Sequence, residues 1–202
     1  MTPNQPLPRN NLPRPAAAPR PAAEIVQPIG VSEAATALLT PTQSIRQYLD
    51  VLIAAELVED AIRVLAVGLP KPEAVWWACL CVRSRLPKPL PEAGEKAIVA
   101  AEKWVLDSND ANRRAAGTAA ETAGWDNAPG CVAGAAWLSG GSLSPPTLPT
   151  VSPREDLTGR SIAGALTLAA AIDPQTSAAT LVQFLTLGQQ IASGKVKKGQ
   201  SG

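Results

Sequence analysis

The stretch Pro70-Lys-Pro-Glu-Ala-Val-Trp-Trp-Ala-Cys-Leu-Cys-Val-Arg83 decides the fold. Proline is tolerated in the first turn of a helix, because that N–H has no intrahelical partner, so Pro70 and Pro72 mark a helix start. Glu73 stands in the same turn, where the helix dipole favours an anion, and Arg83 and Arg85 stand at the far end, where it favours cations. Between them Val75, Cys79 and Val82 share one face at i, i+4, i+7. Trp76 and Leu80 form a second row, and Trp77, Ala78 and Cys81 fill much of the remainder. A helix that is apolar nearly all round is packed on several sides. The segment is therefore read as the central helix of an all-α domain. The alternative for its tryptophans is that one of Trp76 and Trp77 faces outward as an interface anchor, since Trp is enriched at binding hot spots. Spacing does not tell the two apart.

Working outward, the composition agrees with a helical core. Of 202 residues, 46% are hydrophobic, which suffices for one domain, yet only 3% are aromatic and Ala is abundant. Ala-rich cores belong to closely packed helices. Runs of β-branched residues with period 2 are missing, so no sheet is expected. The expected architecture is a compact multi-helix bundle. A short helical-repeat array is the alternative, because the helices pair at intervals of roughly 30–35 residues, although without a self-similar signature.

Before the central helix, residues 1–30 read as a Pro/Arg-rich tail without fixed structure, with residues 24–31 as an extended lead-in. The helical domain is expected over 31–194. It opens with a short helix from Ser32 to Leu39 capped by Ser32. Thr40-Pro-Thr-Gln43 then reads as a capping box for a helix running to about Val67, bent near Ala54.

After the central helix, Pro91 to Leu106 places Ala97, Ala101, Trp104 and Val105 on one face, with Glu92 and Lys96 spaced for an ion pair outside. Asp107 to Asp110 is a turn and cap. The next helix, to Ala123, has an inner face of Ala115, Ala116, Ala119, Ala120 and Ala123, with Arg113 and Arg114 on a solvated or salt-bridged edge and Gly124 as its stop. In the helix Ala128 to Leu138, Gly130 and Gly134 leave room for a neighbouring helix. Gly140-Gly141 ends it. Residues 142–156 form an extended Pro-rich strap, 157–194 a closing helical hairpin with Asp173-Pro174 capping its second helix, and 195–202 a basic tail with Lys195, Lys197 and Lys198.

The string Asp60-Ala-Ile-Arg-Val-Leu-Ala-Val-Gly-Leu-Pro-Lys-Pro-Glu-Ala-Val-Trp-Trp-Ala-Cys79 resembles an uncharacterised family of bacterial proteins with "AVWWA" segments. Ser108 to Ala116 and Trp137 to Pro146 carry the resemblance further, over about Val31 to Gly194. Pro72 stands where the family pattern has Arg. The resemblance brings no catalytic residues. It implies a place near type VI secretion and related contractile-injection systems.

The sequence lacks histidine altogether, which removes His-based nucleophile systems and the usual proton shuttle. Three cysteines fall short of a closed zinc set, and Cys79 and Cys81, two apart on a helix, point to different sides. Without an export signal, the thiols read as reduced in a cytoplasmic protein. Gly140-Gly141 invites a phosphate-loop reading, but no preceding strand and no lysine-serine pattern accompany it. A clustered basic face for nucleic acid is missing, and the longest apolar run is too short for a bilayer. No cofactor or metal is expected. The reading is a non-enzymatic interaction module, such as an adaptor, chaperone or accessory subunit of a bacterial assembly. Its protein partner would meet Trp76, Trp77, Arg113, Arg114, Gly140, Gly141 and Ser142. The alternative is a small-ligand or enzymatic pocket near Gly140–Ser142.

Overall fold

The computed structural model describes residues 20–145 and 147–196. Among them all regular structure is helical: α1 (Ala22–Val26), α2 (Glu33–Ala37), α3 (Ile45–Ala54), α4 (Val58–Gly68), α5 (Lys71–Arg85), α6 (Glu92–Leu106), α7 (Asp110–Ala123), α8 (Ala128–Trp137), α9 (Leu157–Ala170) and α10 (Ser177–Ala192).

Helix α5 is central, as its all-round apolar pattern requires. It packs against α4, α6, α8, α9 and α10. Trp77 is fully buried, and its indole N–H donates to the Phe184 carbonyl of α10 at 2.8 Å. Gly188 of α10 makes room for that ring; a Cβ there would lie 2.7 Å from the indole. Arg83 ties the solvent edge of α5 to α6 through two bonds each to Glu95 and Glu102, at 2.6–3.1 Å. The last hairpin folds back over the first helices: α9 packs on α4, α5 and α8, and α10 on α4 and α5. In a repeat array each pair would meet only its neighbours. The return of α9 and α10 makes this a closed bundle.

Several local expectations are corrected. The residues before Val31 are not an extended lead-in: α1 and a 3-10 turn at Gln27–Ile29 bury Ala22, Val26 and Ile29 in the core. The tail expected over 1–30 is thus contradicted within residues 20–30, which hold these two elements; its residues 1–19, and residues 197–202 of the expected basic tail, lie outside the described residues. The box at Thr40 is half formed, with its N–H on Gln43 Oε1 at 2.9 Å, but the chain only turns there. The full capping box is Ser44 with Gln47, opening α3. The bend near Ala54 is a break, because Glu56 adopts a left-handed φ of 58° between α3 and α4. The strap is not extended: Leu143 N–H donates to Val151 O at 2.8 Å, so the segment doubles back on itself. Asp173 makes a turn ahead of α10, accepting from Gln175 N–H and the Thr176 hydroxyl, and does not cap it.

Asp60 is a buried junction. Its carboxylate accepts from the Ser32 N–H and hydroxyl at 2.9 and 2.6 Å and from Arg63 at 3.1 Å, which locks α2 onto α4. The Ser44 box is the simplest local contribution to test. Ser44→Ala is expected to cost about 1 kcal/mol in urea unfolding. An unchanged midpoint would show that packing alone starts α3.

Candidate functional site

The residues singled out in the sequence separate into two places. Trp76 and Trp77 are both core residues, so neither faces outward as an anchor. The rest of the set converges. Of the expected solvated or salt-bridged edge, Arg113 is salt-bridged to Asp110 but not solvated; its side chain is 4% exposed. It is held because α7 turns residues 113, 116, 117 and 120 inward, which leaves Ala115 exposed. The Arg113 guanidinium donates to Asp110 Oδ1 at 2.6 and 2.9 Å, to Trp137 O at 3.0 Å and to Ser142 O at 3.0 Å. It also stacks 4.3 Å from the centroid of the Trp137 ring. Trp137 can lie there because Gly117 has no side chain; a Cβ would come within 2.8 Å of the ring. Gly141, at a φ of 64°, passes its backbone against the same guanidinium.

Arg114 completes the clamp from outside. It donates to Asp110 Oδ2 at 2.8 Å and to the carbonyls of Ser144 and Ser142 at 3.2 and 3.4 Å. Bonds from Arg114 and then Arg113 hold the Asp110 carboxyl below the usual carboxylate range. Four of the five N–H directions of Arg113 thus end on the protein. The cluster fastens the loop after α8 to α7. It does not offer a free cation.

A hollow of about 420 Å³ lies beside it, bordered by Trp104, Asn109, Gly140 and Gly141. Its other cation, Lys71, donates to Ser139 O at 2.7 Å. The polar groups around Gly140 therefore face one another. Thiol chemistry fares no better: burial pushes the Cys79, Cys81 and Cys131 thiols up, away from the reactive thiolate.

The exposed tryptophan is Trp125, in the turn between α7 and α8. It is 45% exposed. Gly124, at a φ of 90°, turns the chain out of α7, and Asn127 both caps α8 through Gly130 N–H at 2.9 Å and donates to Gly124 O at 3.1 Å. The Cys131 thiol donates to Trp125 O at 3.2 Å. The indole then rests on Gly134 of α8, where any Cβ would overlap the ring. Sequence spacing had assigned that room, with Gly130, to a neighbouring helix. Gly134 is filled by Trp125, and Gly130 lies against the Gly124 carbonyl.

Trp125 forms one wall of a groove of about 560 Å³. Helix α9 lines it with Ala163, Gly164 and Leu168, and Ile29 lines it from beside α1. Cys131, Thr167, Gly30 and Gly159 also line it, together with Arg63 of α4 and Arg160 of α9, and the lining contains no carboxylate. The signal for this site was present in the sequence: a Trp directly after a helix-stopping glycine belongs to no apolar helical row.

The sequence profile of a family of unknown function, DUF6931, matches residues 48–192. The chain belongs to that family. The DUF6931 match takes in Trp125, Arg63 and Arg160, and starts within α3, so the α1 segment that supplies Ile29 precedes it. No curated protein and no solved structure matches the chain. Among the described residues no helix of this DUF6931 protein is long and apolar enough to cross a membrane.

Proposed function

We propose that this DUF6931 protein is a non-enzymatic interaction module that holds a protein partner through the Trp125 groove. The supporting observation is a large aromatic side chain, half exposed yet set against Gly134, that lines a groove together with Ala163 and Leu168. A pre-positioned Trp gives much contact area with little ordering cost on binding. The buried thiols and the satisfied Arg113 cluster favour this reading over an enzyme. The pocket reading at Gly140–Ser142 is weaker, because the cations there are spent on backbone carbonyls. The resemblance noted in the sequence makes the cytoplasmic part of a bacterial assembly, such as a type VI secretion system, the setting to examine. There the protein would serve as an adaptor, chaperone or accessory subunit.

The test is quantitative affinity purification of tagged wild-type and Trp125→Ala chains from the native bacterium. Trp125 lies outside the core, so the variant is expected to melt as the wild type does. At least one sheath, spike, baseplate or effector component should fall by about tenfold or more, the loss typical of a hot-spot residue. Full retention of every partner by the folded variant would remove Trp125 from the interface.

A further inference from the structure

Resting on the reading of the Trp125 groove as an interaction site, we propose that its occupant is an acidic peptide segment of a partner protein. That segment would set an apolar side chain against Trp125 and Leu168, with carboxylates placed for Arg63 and Arg160.

Charge carries this choice. The groove lining holds two arginines and no acid. The carboxylates that neutralise them stand outside it. Arg63 is held by Asp60 at 3.1 Å and lies 3.7 Å from Glu59. Arg160 is held more loosely. Among the described residues its one side-chain hydrogen bond is to Pro28 O at 3.4 Å, and the Asp156 carboxylate is 3.7 Å away. Its side chain is 52% exposed. Asp156 itself takes its shortest bonds, 2.6 and 2.9 Å, from Arg154. Arg160 thus keeps N–H directions for an incoming carboxylate, and a guanidinium accepts one through two parallel bonds. The same lining holds Trp125, Ala163 and Leu168 beside the arginines, so a carboxylate on the ligand gains by bonding to a guanidinium while an apolar side chain meets these residues.

The same charge argues against the chain's own ends as occupants. Residues 1–19 carry Arg9 and Arg14, and residues 197–202 carry Lys197 and Lys198, with no acid in either. Like charge at the groove would repel them.

The experiment uses the full chain as bait for a random-peptide display library. The most enriched peptide is then synthesised and titrated by fluorescence anisotropy at low and high salt. Enriched peptides are expected to pair Asp or Glu with a large apolar residue. Binding should weaken by about tenfold or more in Arg160→Glu, and more again in Arg63→Glu/Arg160→Glu, with a steep salt dependence. A peptide with its acids changed to Lys should regain affinity for the double variant, an outcome that misfolding would not produce.

Neutral or basic enriched peptides, or equal binding by Arg160→Glu, would overturn the acidic occupant. If Trp125→Ala still abolished binding in that case, the groove would stand and only its ligand would change. Loss in neither variant, or no enrichment at all, would overturn both. Binding of a synthetic peptide of residues 1–19 would assign the groove to this chain's own segment. A concentration-dependent dimer in sedimentation, broken by Trp125→Ala, would assign it to a second copy. Either result overturns the proposal.

Discussion

Trp77→Ala is expected to remove about 3–5 kcal/mol of stability, the range for deleting a buried Trp or Phe. Domains of this kind are stable by only about 5–15 kcal/mol, so the variant should unfold at much lower denaturant and lose most of its melting temperature margin. The cause is positional. Trp77 stands on the helix that touches five others, and its ring occupies the space that Gly188 leaves on α10. Deleting it opens a cavity between α5 and α10, and rigid helices cannot collapse into that cavity without losing other contacts. The Phe184 carbonyl also loses its 2.8 Å donor. Trp77→Phe separates the two effects. It keeps most of the volume and drops the donor, so about 1–2 kcal/mol is expected. Urea unfolding followed by circular dichroism measures both. A Trp77→Ala protein within 1 kcal/mol of the wild type, on the same scale, would show that α10 does not depend on this contact.

The sequence made α5 readable because its pattern is local: two prolines, an acid, an apolar body, two arginines. The inward row of α6 was readable for the same reason, and Ala97, Ala101, Trp104 and Val105 are all buried. What escaped was what depends on distant partners. Helix α1 follows a Pro-rich run whose composition masks it, and it is held by burial against the bundle, since five residues make no stable helix alone. Glu56 breaks the chain between α3 and α4 with no glycine to announce the turn. Arg113, in an Ala-rich helix next to another Arg, looks like a surface residue. Only the Trp137 ring and the Ser142 carbonyl, 24 and 29 residues away in sequence, explain its burial. The candidate site was missed for a related reason. Whether Trp125 is exposed depends on Gly134 lying under its ring, and on α9 leaving small residues beside it.

Arg113 supplies the second large effect. Arg113→Ala should cost about 2–4 kcal/mol, because it takes the side-chain donor from the Trp137 carbonyl, leaves Ser142 O with only the 3.4 Å bond from Arg114, and strips the face of Trp137. Arg114→Ala should cost less than about 1 kcal/mol, because its bonds are longer and partly solvated. The contrast between neighbours of identical charge distinguishes a clamp from a docking patch, which would make them comparable in binding and neutral in stability. Arg113→Lys should not rescue, since an ammonium cannot stack on Trp137 while reaching Asp110 and two carbonyls. The damage should be local first. The Leu143 N–H donates to Val151 O within the loop that Arg113 and Arg114 fasten to α7, so its hydrogen exchange is expected to quicken in Arg113→Ala before the protection of α5 changes. Acid should act in the same direction on the wild type. The Asp110 carboxyl titrates below its ordinary range, so its contribution is complete above the ordinary carboxylate pKa of about 4 and drains away as pH falls through the lower folded value. Exchange at Leu143 that is indifferent both to Arg113→Ala and to low pH would mean that the loop holds itself through Ser142 and Val151, and that the guanidinium is only covered by it.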